Sequence, residues 1–342
     1  MPVRIGSWPG LRFSHNSMIS ILCGALQRRG AKILDVSHPW RIRPSEMDLF
    51  QIHWPEQVFW TGGSPLRQFA RVVLTLAALA RLRLAGVRVT WMVHNLQPHE
   101  TGTLKSVIWR FYVLGLTTFT QQYITLSPMT EAVVRQRLRL GRKALVTNVR
   151  HPSYPKGSSR EAARHRLGIS LDPRVYVFFG AIRPYKGIDA LLDAFGMLPD
   201  TNARLIIAGE PHSSSIGNML STKAALDKRI ELRLGYIRDE TLTDIIDAAD
   251  RIVLPFKSYL HSGSLIRALS QGKVTITPKT PFACNLRTEL GEHWVQLYTG
   301  HLSAEHLTIT VGQEGAPDMS AYEPDRVAEE LLQCYRTILL ST

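Results

Sequence analysis

The chain has 342 residues, 44% hydrophobic and 20% charged, with a formal net charge of +13; this suits two domains and excludes wholesale disorder. The charge is uneven, since residues 1–160 hold 22 Lys and Arg against 6 Asp and Glu, whereas 161–342 hold 19 against 22. An anionic partner is therefore expected at the first half, with nucleic acid, an anionic membrane and a phosphorylated substrate all open.

Short apolar runs alternate with helical periods along the chain. Strands are expected at 3–8, 31–36, 48–53, 87–93, 122–126 and 144–149, with helices at 65–85, 104–116 and 129–140 between them. Ser14 is placed to cap an earlier helix whose Met18, Ile19, Leu22, Ala25 and Leu26 follow a 3.6 period up to Gly30. A Pro-, Gly- and Ser-rich stretch at 150–159 reads as a linker. Strands then resume at 175–180, 204–208, 230–234, 251–255 and 274–277, with helices at 187–198, 241–249 and 262–271 and a terminal helix at 325–340. Such alternation implies parallel βαβ units, so two doubly wound α/β domains facing across a cleft are expected. The domains are placed at 1–155 and 156–342, with the final helix a candidate to cross back.

Three separated cysteines, Cys23, Cys284 and Cys334, form no CxxC and read as buried reduced thiols. The first ten residues lack an apolar core, so a signal peptide is not expected. The longest uncharged apolar stretches, 72–80 and 111–124, fall short of the ~20 residues of a spanning helix. A soluble or peripheral protein is expected.

In open α/β sheets, ligands bind beyond the carboxyl ends of the strands, so post-strand loops are where chemistry is sought. The loop at 179–187 (FGAIRPYKG) pairs Gly180, which permits a tight exit, with two cations, Arg183 and Lys186, suited to a diphosphate. A solvated basic loop is the plainer reading. The loop at 254–265 (LPFKSYLHSGSL) brings Lys257 and then Ser262, Gly263 and Ser264 at a helix start, an anion seat or an ordinary Ser cap. In the basic half, His53, Trp54, Pro55 and Glu56 follow one strand, and His94 through Glu100 follow another. Each loop supplies an imidazole and a carboxylate, as deprotonating an acceptor hydroxyl requires; structural hydrogen bonding is the alternative. No GxGxxG follows a strand, and GxxxxGK[ST], HExxH and GxSxG are absent, which weakens dinucleotide, P-loop, zinc-protease and serine-hydrolase readings. No Asp-x-Asp pair offers to hold a divalent metal, so diphosphate charge would be met by Arg, Lys and backbone dipoles.

At these residues the chain resembles a GT-B glycosyltransferase of the glycosyltransferase family 4 superfamily. The GAIRPYKG loop, Leu234 to Ile237 with the following DETL, the ADRIVLP strand and the SGSLIRALSQGK helix carry the likeness over nearly the whole chain. Within that superfamily it is most similar to xanthan-type exopolysaccharide β-mannosyltransferases, through the phrases HWPE at 53–56, HNLQPHE at 94–100, IRPYKG at 182–187 and HSGS at 261–264. The resemblance implies a GDP-mannose donor and a lipid-diphosphate-linked oligosaccharide acceptor in exopolysaccharide biosynthesis, with no cofactor and no metal. It implies that Arg183 and Lys186 contact the donor diphosphate, that Gly263 and Ser264 seat phosphate oxygens, and that Tyr236 and Ile237 border the base. Two departures stand out. Retaining members carry an Arg where Ala181 stands, and an E-x7-E pair where Tyr259 and Arg267 stand. Their loss fits an inverting transfer, a single displacement with a base on the acceptor side: Glu56 first, then His94 and Glu100.

An acceptor in an anionic leaflet gives the basic half a use. Arg67, Arg71, Arg81, Arg83 and Arg88 surround one apolar stretch, and Lys105 and Arg110 flank Trp109, Phe111 and Tyr112, so a peripheral position on the inner face of the bacterial plasma membrane is expected. Solvated arginines around core residues are the alternative. A retaining transferase with another nucleotide sugar, a GT-B epimerase and a non-catalytic basic nucleic-acid binder are the rival readings, the last without any RRM, KH, helix-turn-helix or zinc-finger pattern.

Overall fold

The computed structural model describes residues 2–11, 17–60, 63–97, 103–308 and 315–340. Ser14 and Glu100 lie outside the described residues. The chain divides into two compact units, Met1–Pro152 with Ser320–Thr342, and Ser153–Met319.

In chain order the first unit holds β1 (Arg4–Trp8), α1 (Ser17–Arg28), β2 (Lys32–Asp35), β3 (Leu49–Ile52), α2 (Gln57–Trp60), α3 (Pro65–Leu84), β4 (Arg88–Met92), α4 (Thr103–Phe119), β5 (Gln122–Thr125), α5 (Glu131–Arg137) and β6 (Leu145–Asn148). The second holds α6 (Arg160–Leu167), β7 (Val175–Phe179), α7 (Ile188–Gly196), β8 (Arg204–Gly209), α8 (Ser214–Leu226), β9 (Ile230–Leu234), α9 (Asp239–Asp247), β10 (Arg251–Val253), α10 (Gly263–Ser270), β11 (Val274–Pro278), α11 (Pro281–Leu290), β12 (Val295–Tyr298) and α12 (Ala304–Thr308). The last helix, α13 (Pro324–Leu340), belongs to the first unit. The division falls after Pro152, three residues before the expected boundary.

Each unit is built on one six-stranded sheet, ordered β2-β1-β3-β4-β5-β6 in the first and β12-β11-β10-β7-β8-β9 in the second. Every strand pair is parallel. The winding of each sheet reverses at one place, between β1 and β3 in the first and between β7 and β10 in the second. At such a reversal the two neighbouring strand ends lead their connections to opposite faces, which opens a crevice at the carboxyl edge. The central strands are apolar on both faces, as covered parallel sheets require: β3 reads LFQI and β7 reads VYVFF, every residue buried.

Local chemistry sets the element ends. Ser64 accepts a hydrogen bond from the Arg67 amide and Pro65 opens α3, so the helix starts where the first amides need capping. The stretch 150–159 has no regular structure, but α6, α8, α11 and β12 were not expected from the pattern. Polar α6 turns on Arg164, which is fully buried and donates to Ala248 O at 3.0 Å, Leu171 O at 2.9 Å and Asp250 Oδ2 at 2.5 Å. The three cysteines are free; Cys23 is buried, whereas Cys284 and Cys334 are half-buried rather than fully enclosed.

α13 lays Val327, Leu331, Leu332, Tyr335 and Ile338 into the first unit, and its acids meet arginines of α1: Arg28 to Asp325 at 2.7 Å and Arg29 to Glu329 at 3.0 Å. These pairs are exposed and add little. The buried anchor is stronger: the Tyr335 hydroxyl donates to Gln51 Oε1 at 2.7 Å, and Thr90 donates to the same oxygen at 2.6 Å. With this segment included, the first unit carries 22 basic and 10 acidic residues, a balance of +12, and the second 19 and 18, a balance of +1. Tyr335→Phe removes one of two donors to a buried oxygen and is expected to cost roughly 1 kcal/mol, a few degrees in the melting of the first unit. An unchanged melting temperature would show that α13 docks by apolar packing alone.

Candidate active site

In the first unit, β3 at the winding reversal and its neighbour β4 end side by side, Ile52 opposite Trp91. Their exits carry His53 to Glu56 and His94 to Leu96. The register brings the two histidines together, with His53 Nδ1 and His94 Nε2 3.2 Å apart. The Trp54 indole stacks on the His94 ring at 4.4 Å between centroids and 24° between planes. Burial pushes the His53 imidazole down to about 3, so it stays neutral and offers one donor and one acceptor to its neighbour.

Glu56 is 2% exposed, and Asn95 Nδ2 donates to its Oε1 at 2.8 Å. Burial raises its carboxyl from 4.5 to about 7, against the opposing effects of Asn95 and its own backbone. Its charge is felt by the buried Tyr112 hydroxyl on α4, which burial itself pushes well above the usual range. A carboxyl poised near neutrality beside a fixed amide donor has the acidity that a general base needs.

In the second unit, the loops after β7 and β10 converge at the winding reversal. Gly180 leaves β7 at φ +98°, and a Cβ there would stand 3.3 Å from Lys186 Nζ and 3.6 Å from Ser264 Oγ. The ammonium and the hydroxyl therefore flank the same small space, which only glycine leaves open. Gly187, at φ +66°, lets the loop press on Pro255, whose carbonyl oxygen would lie 2.2 Å from any Cβ. Lys186 is 9% exposed, and its ammonium lies 4.5 Å from the centre of the Phe256 ring. Burial, and then the like charge of Arg183, lowers it from 10.5 to about 8. A cation kept out of water this way gains most from an arriving anion.

The start of α10 completes this half. Ser262 Oγ accepts from the Leu265 amide at 3.2 Å, which makes Ser262 the helix cap. The amides of Gly263 and Ser264 precede the helical ladder and carry the positive end of its dipole. Among the described residues no three His, Cys, Asp or Glu side chains gather into a metal-holding group.

A cavity of ≈ 630 Å³ lies elsewhere, at the amino ends of the second sheet beside Arg174, Arg251 and His293. Its Lys273 is committed to Asp247 O at 2.6 Å and Ala249 O at 3.1 Å, the carbonyls that end α9. That cavity lies outside the candidate active site, because no loop at the carboxyl ends of the strands reaches it.

The chain is similar to several known proteins. Residues 159–292 match the family described as glycosyl transferases group 1. A GDP-mannose:glycolipid 4-beta-D-mannosyltransferase from Xanthomonas campestris pv. campestris is 28% identical over 301 residues, covering 86% of this chain and 80% of that protein. The chain is a glycosyltransferase. Its fold is GT-B, shared with Anabaena HepE in complex with UDP-glucose (TM-score 0.63, 14% identity, 98% of this chain and 99% of that one). WaaG, a glycosyltransferase involved in lipopolysaccharide biosynthesis, has the same fold (TM-score 0.60, 14% identity, 99% of this chain and 100% of that one).

In this glycosyltransferase Gly180, Lys186 and Ser264 come together, Gly263 follows the cap, and half-buried Arg183 begins the turn that carries Lys186. Glu56 and His94 share the paired loops of the first unit. Lys257 forms an exposed ion pair with Asp189 of α7 at 3.2 Å. Ser262 caps its own helix, one of the two roles expected of it. Tyr236 and Ile237 follow the edge strand β9, the first 77% exposed and the second half-buried. Tyr259 donates to or accepts from Thr277 at 3.0 Å, and Arg267 pairs with Asp239 at 3.0 Å, so both unusual positions have partners within the unit. Asn95, Trp54 and Phe256 were missed as supports, although each lies inside a loop already singled out.

The raised carboxyl has a stability signature. Folded Glu56 keeps its proton up to about pH 7, whereas the unfolded chain releases it above 4.5. Folding stability therefore falls as pH rises between those values and is flat beyond. Glu56→Gln removes this loss and should gain up to roughly 3 kcal/mol above pH 7, with little gain near pH 4.5. Melting curves of both proteins across that range check it; a gain independent of pH would contradict a buried, proton-holding Glu56.

Proposed function

We propose that this glycosyltransferase moves mannose from GDP-mannose to a hydroxyl of a lipid-diphosphate-linked oligosaccharide in exopolysaccharide biosynthesis. The observation that carries this reading is the convergence of the desolvated Lys186 ammonium, Ser264 and the start of α10 around Gly180. The likeness to a GDP-mannose:glycolipid 4-beta-D-mannosyltransferase over most of both chains supports the donor and the class of acceptor.

The proposed reaction is inverting. The acceptor oxygen attacks the anomeric carbon as the bond to the β-phosphate oxygen breaks, and GDP departs with the electron pair. The acceptor proton passes to Glu56, whose elevated pKa suits a base working near neutral pH, while Asn95 holds the carboxylate oxygen in place. The charge that grows on the leaving diphosphate is met by Lys186, Arg183 and the amides of Gly263 and Ser264, without a metal. Inversion gives a β-linked product from an α-linked donor.

A thermal-shift panel of GDP, UDP and their sugar conjugates tests the donor. GDP and GDP-mannose are expected to stabilise the protein, by about 2.7 kcal/mol at a hundredfold excess over Kd. A larger shift with uridine nucleotides would overturn the guanine assignment.

A further inference from the structure

The cavity of ≈ 630 Å³ opens where β7, β10, β11 and β12 begin. These four strands are neighbours in the second sheet, so their first residues meet at one edge. Arg251 opens β10, and His293 and Trp294 lead into β12. All three line the cavity, and each is nearly enclosed, at 7%, 6% and 6% exposure. Arg174, just before β7, stands roughly 20 Å along that strand from Gly180, so the cavity is distinct from the loops proposed to grip the donor diphosphate.

The buried donors here are short of acceptors. Among the described residues, the Arg251 guanidinium makes a single side-chain hydrogen bond, to Gln296 Oε1 at 3.3 Å, and no ion pair. Its neighbour Asp250 is taken by Arg160 at 2.6 Å, by Arg164 at 2.5 Å and by the Val175 amide at 2.7 Å. Gln296 Nε2 and His293 Nδ1 are buried with no hydrogen-bond partner. The charge of Lys273, on the same wall, goes to carbonyls rather than to a carboxylate. A buried cation and unmet donors cost free energy until the oxygens of a ligand satisfy them. A guanidinium fork, an amide and an imidazole together suit a phosphate group. The rest of the lining is polar: Asp172, Asp200 and Asn202 supply acceptors for hydroxyls. The volume falls in the range of small-molecule sites and exceeds what a bare ion needs.

We propose that this cavity is a second ligand site, which takes a small phosphate monoester bearing hydroxyls, the chemical class of a sugar phosphate. The phosphate lies at Arg251, Gln296 and His293, and the hydroxyls turn toward Asp172 and Asp200. The site has no part in the transfer, and its binding is read with no nucleotide present, so it stands apart from the donor assignment.

Calorimetric titration of the full chain with glucose 6-phosphate, inorganic phosphate and glucose tests it, in the wild type and in Lys186→Ala, Arg251→Met and His293→Phe. Glucose 6-phosphate is expected to bind most tightly, inorganic phosphate more weakly and glucose not measurably. Lys186→Ala removes the cation beside Gly180 and should keep that order. Arg251→Met should weaken glucose 6-phosphate at least about tenfold, and His293→Phe should weaken it in the same direction. Without ligand, Arg251→Met exchanges a buried cation for an apolar chain of similar length and should melt no lower than the wild type. A marked drop in its melting temperature would show a guanidinium already satisfied within the unit, and would overturn the proposal. So would glucose 6-phosphate failing to bind the wild type, or binding that is lost in Lys186→Ala and kept in Arg251→Met. Equal affinity for inorganic phosphate and glucose 6-phosphate would also overturn it, since the acids at Asp172 and Asp200 would then meet no hydroxyl.

Discussion

A lysine ammonium held against an aromatic ring and away from water is the interaction on which the second unit's chemistry rests. Lys186 sits over Phe256 beside a glycine that admits no side chain, and the loop geometry keeps it there. Desolvation that destabilises the isolated cation becomes binding energy when an anion replaces the lost water. The neighbouring helix start adds backbone donors that need no reorganisation as charge develops on a leaving group. Both features arise from the same fact of topology. β7 and β10 are the pair at which the sheet reverses its winding, so their exits can close on one ligand.

The first unit repeats this logic with different chemistry. Its reversal lies at β1 and β3, and β3 delivers Glu56. There the buried group is an acid rather than a base, and burial raises its pKa rather than lowering it. Thus one unit strains a cation and the other a carboxyl, each toward neutral pH. A buried, poorly compensated ionisable group lowers stability, and natural proteins tolerate that mainly where function needs it. Trp54 over His94, and Asn95 on Glu56, show the cost being contained by stacking and by a single amide donor.

Much of this was legible in the residues alone. Strands whose apolar runs are continuous, such as VYVFF, announce themselves because both faces are covered. The loops that follow them carry the candidate residues, since parallel strands leave only their ends open. Other parts were not legible, for physical reasons. α8 buries only Leu220 among its described side chains, so it shows no apolar period. α6 is held by the buried guanidinium of Arg164, which in a sequence looks like a solvated charge. The neighbours of Lys257 and Ser262, the Asp189 carboxylate and the Leu265 amide, are set by the fold and do not show in the residue pattern. The aromatic residues of α4 show the same limit: Trp109 and Tyr112 face inward while Phe111 faces outward, and composition does not tell adjacent positions on a helix apart.

The central claim is that the second unit recognises a diphosphate through Lys186 and the start of α10. Calorimetric titration of the protein with guanosine, GMP and GDP tests it most directly, in the wild type and in Lys186→Ala. The account predicts that affinity rises steeply with each phosphate, and that the variant keeps its fold but loses most of the gain at GDP. Equal affinity for guanosine and GDP, or an unchanged phosphate dependence in the variant, would contradict it.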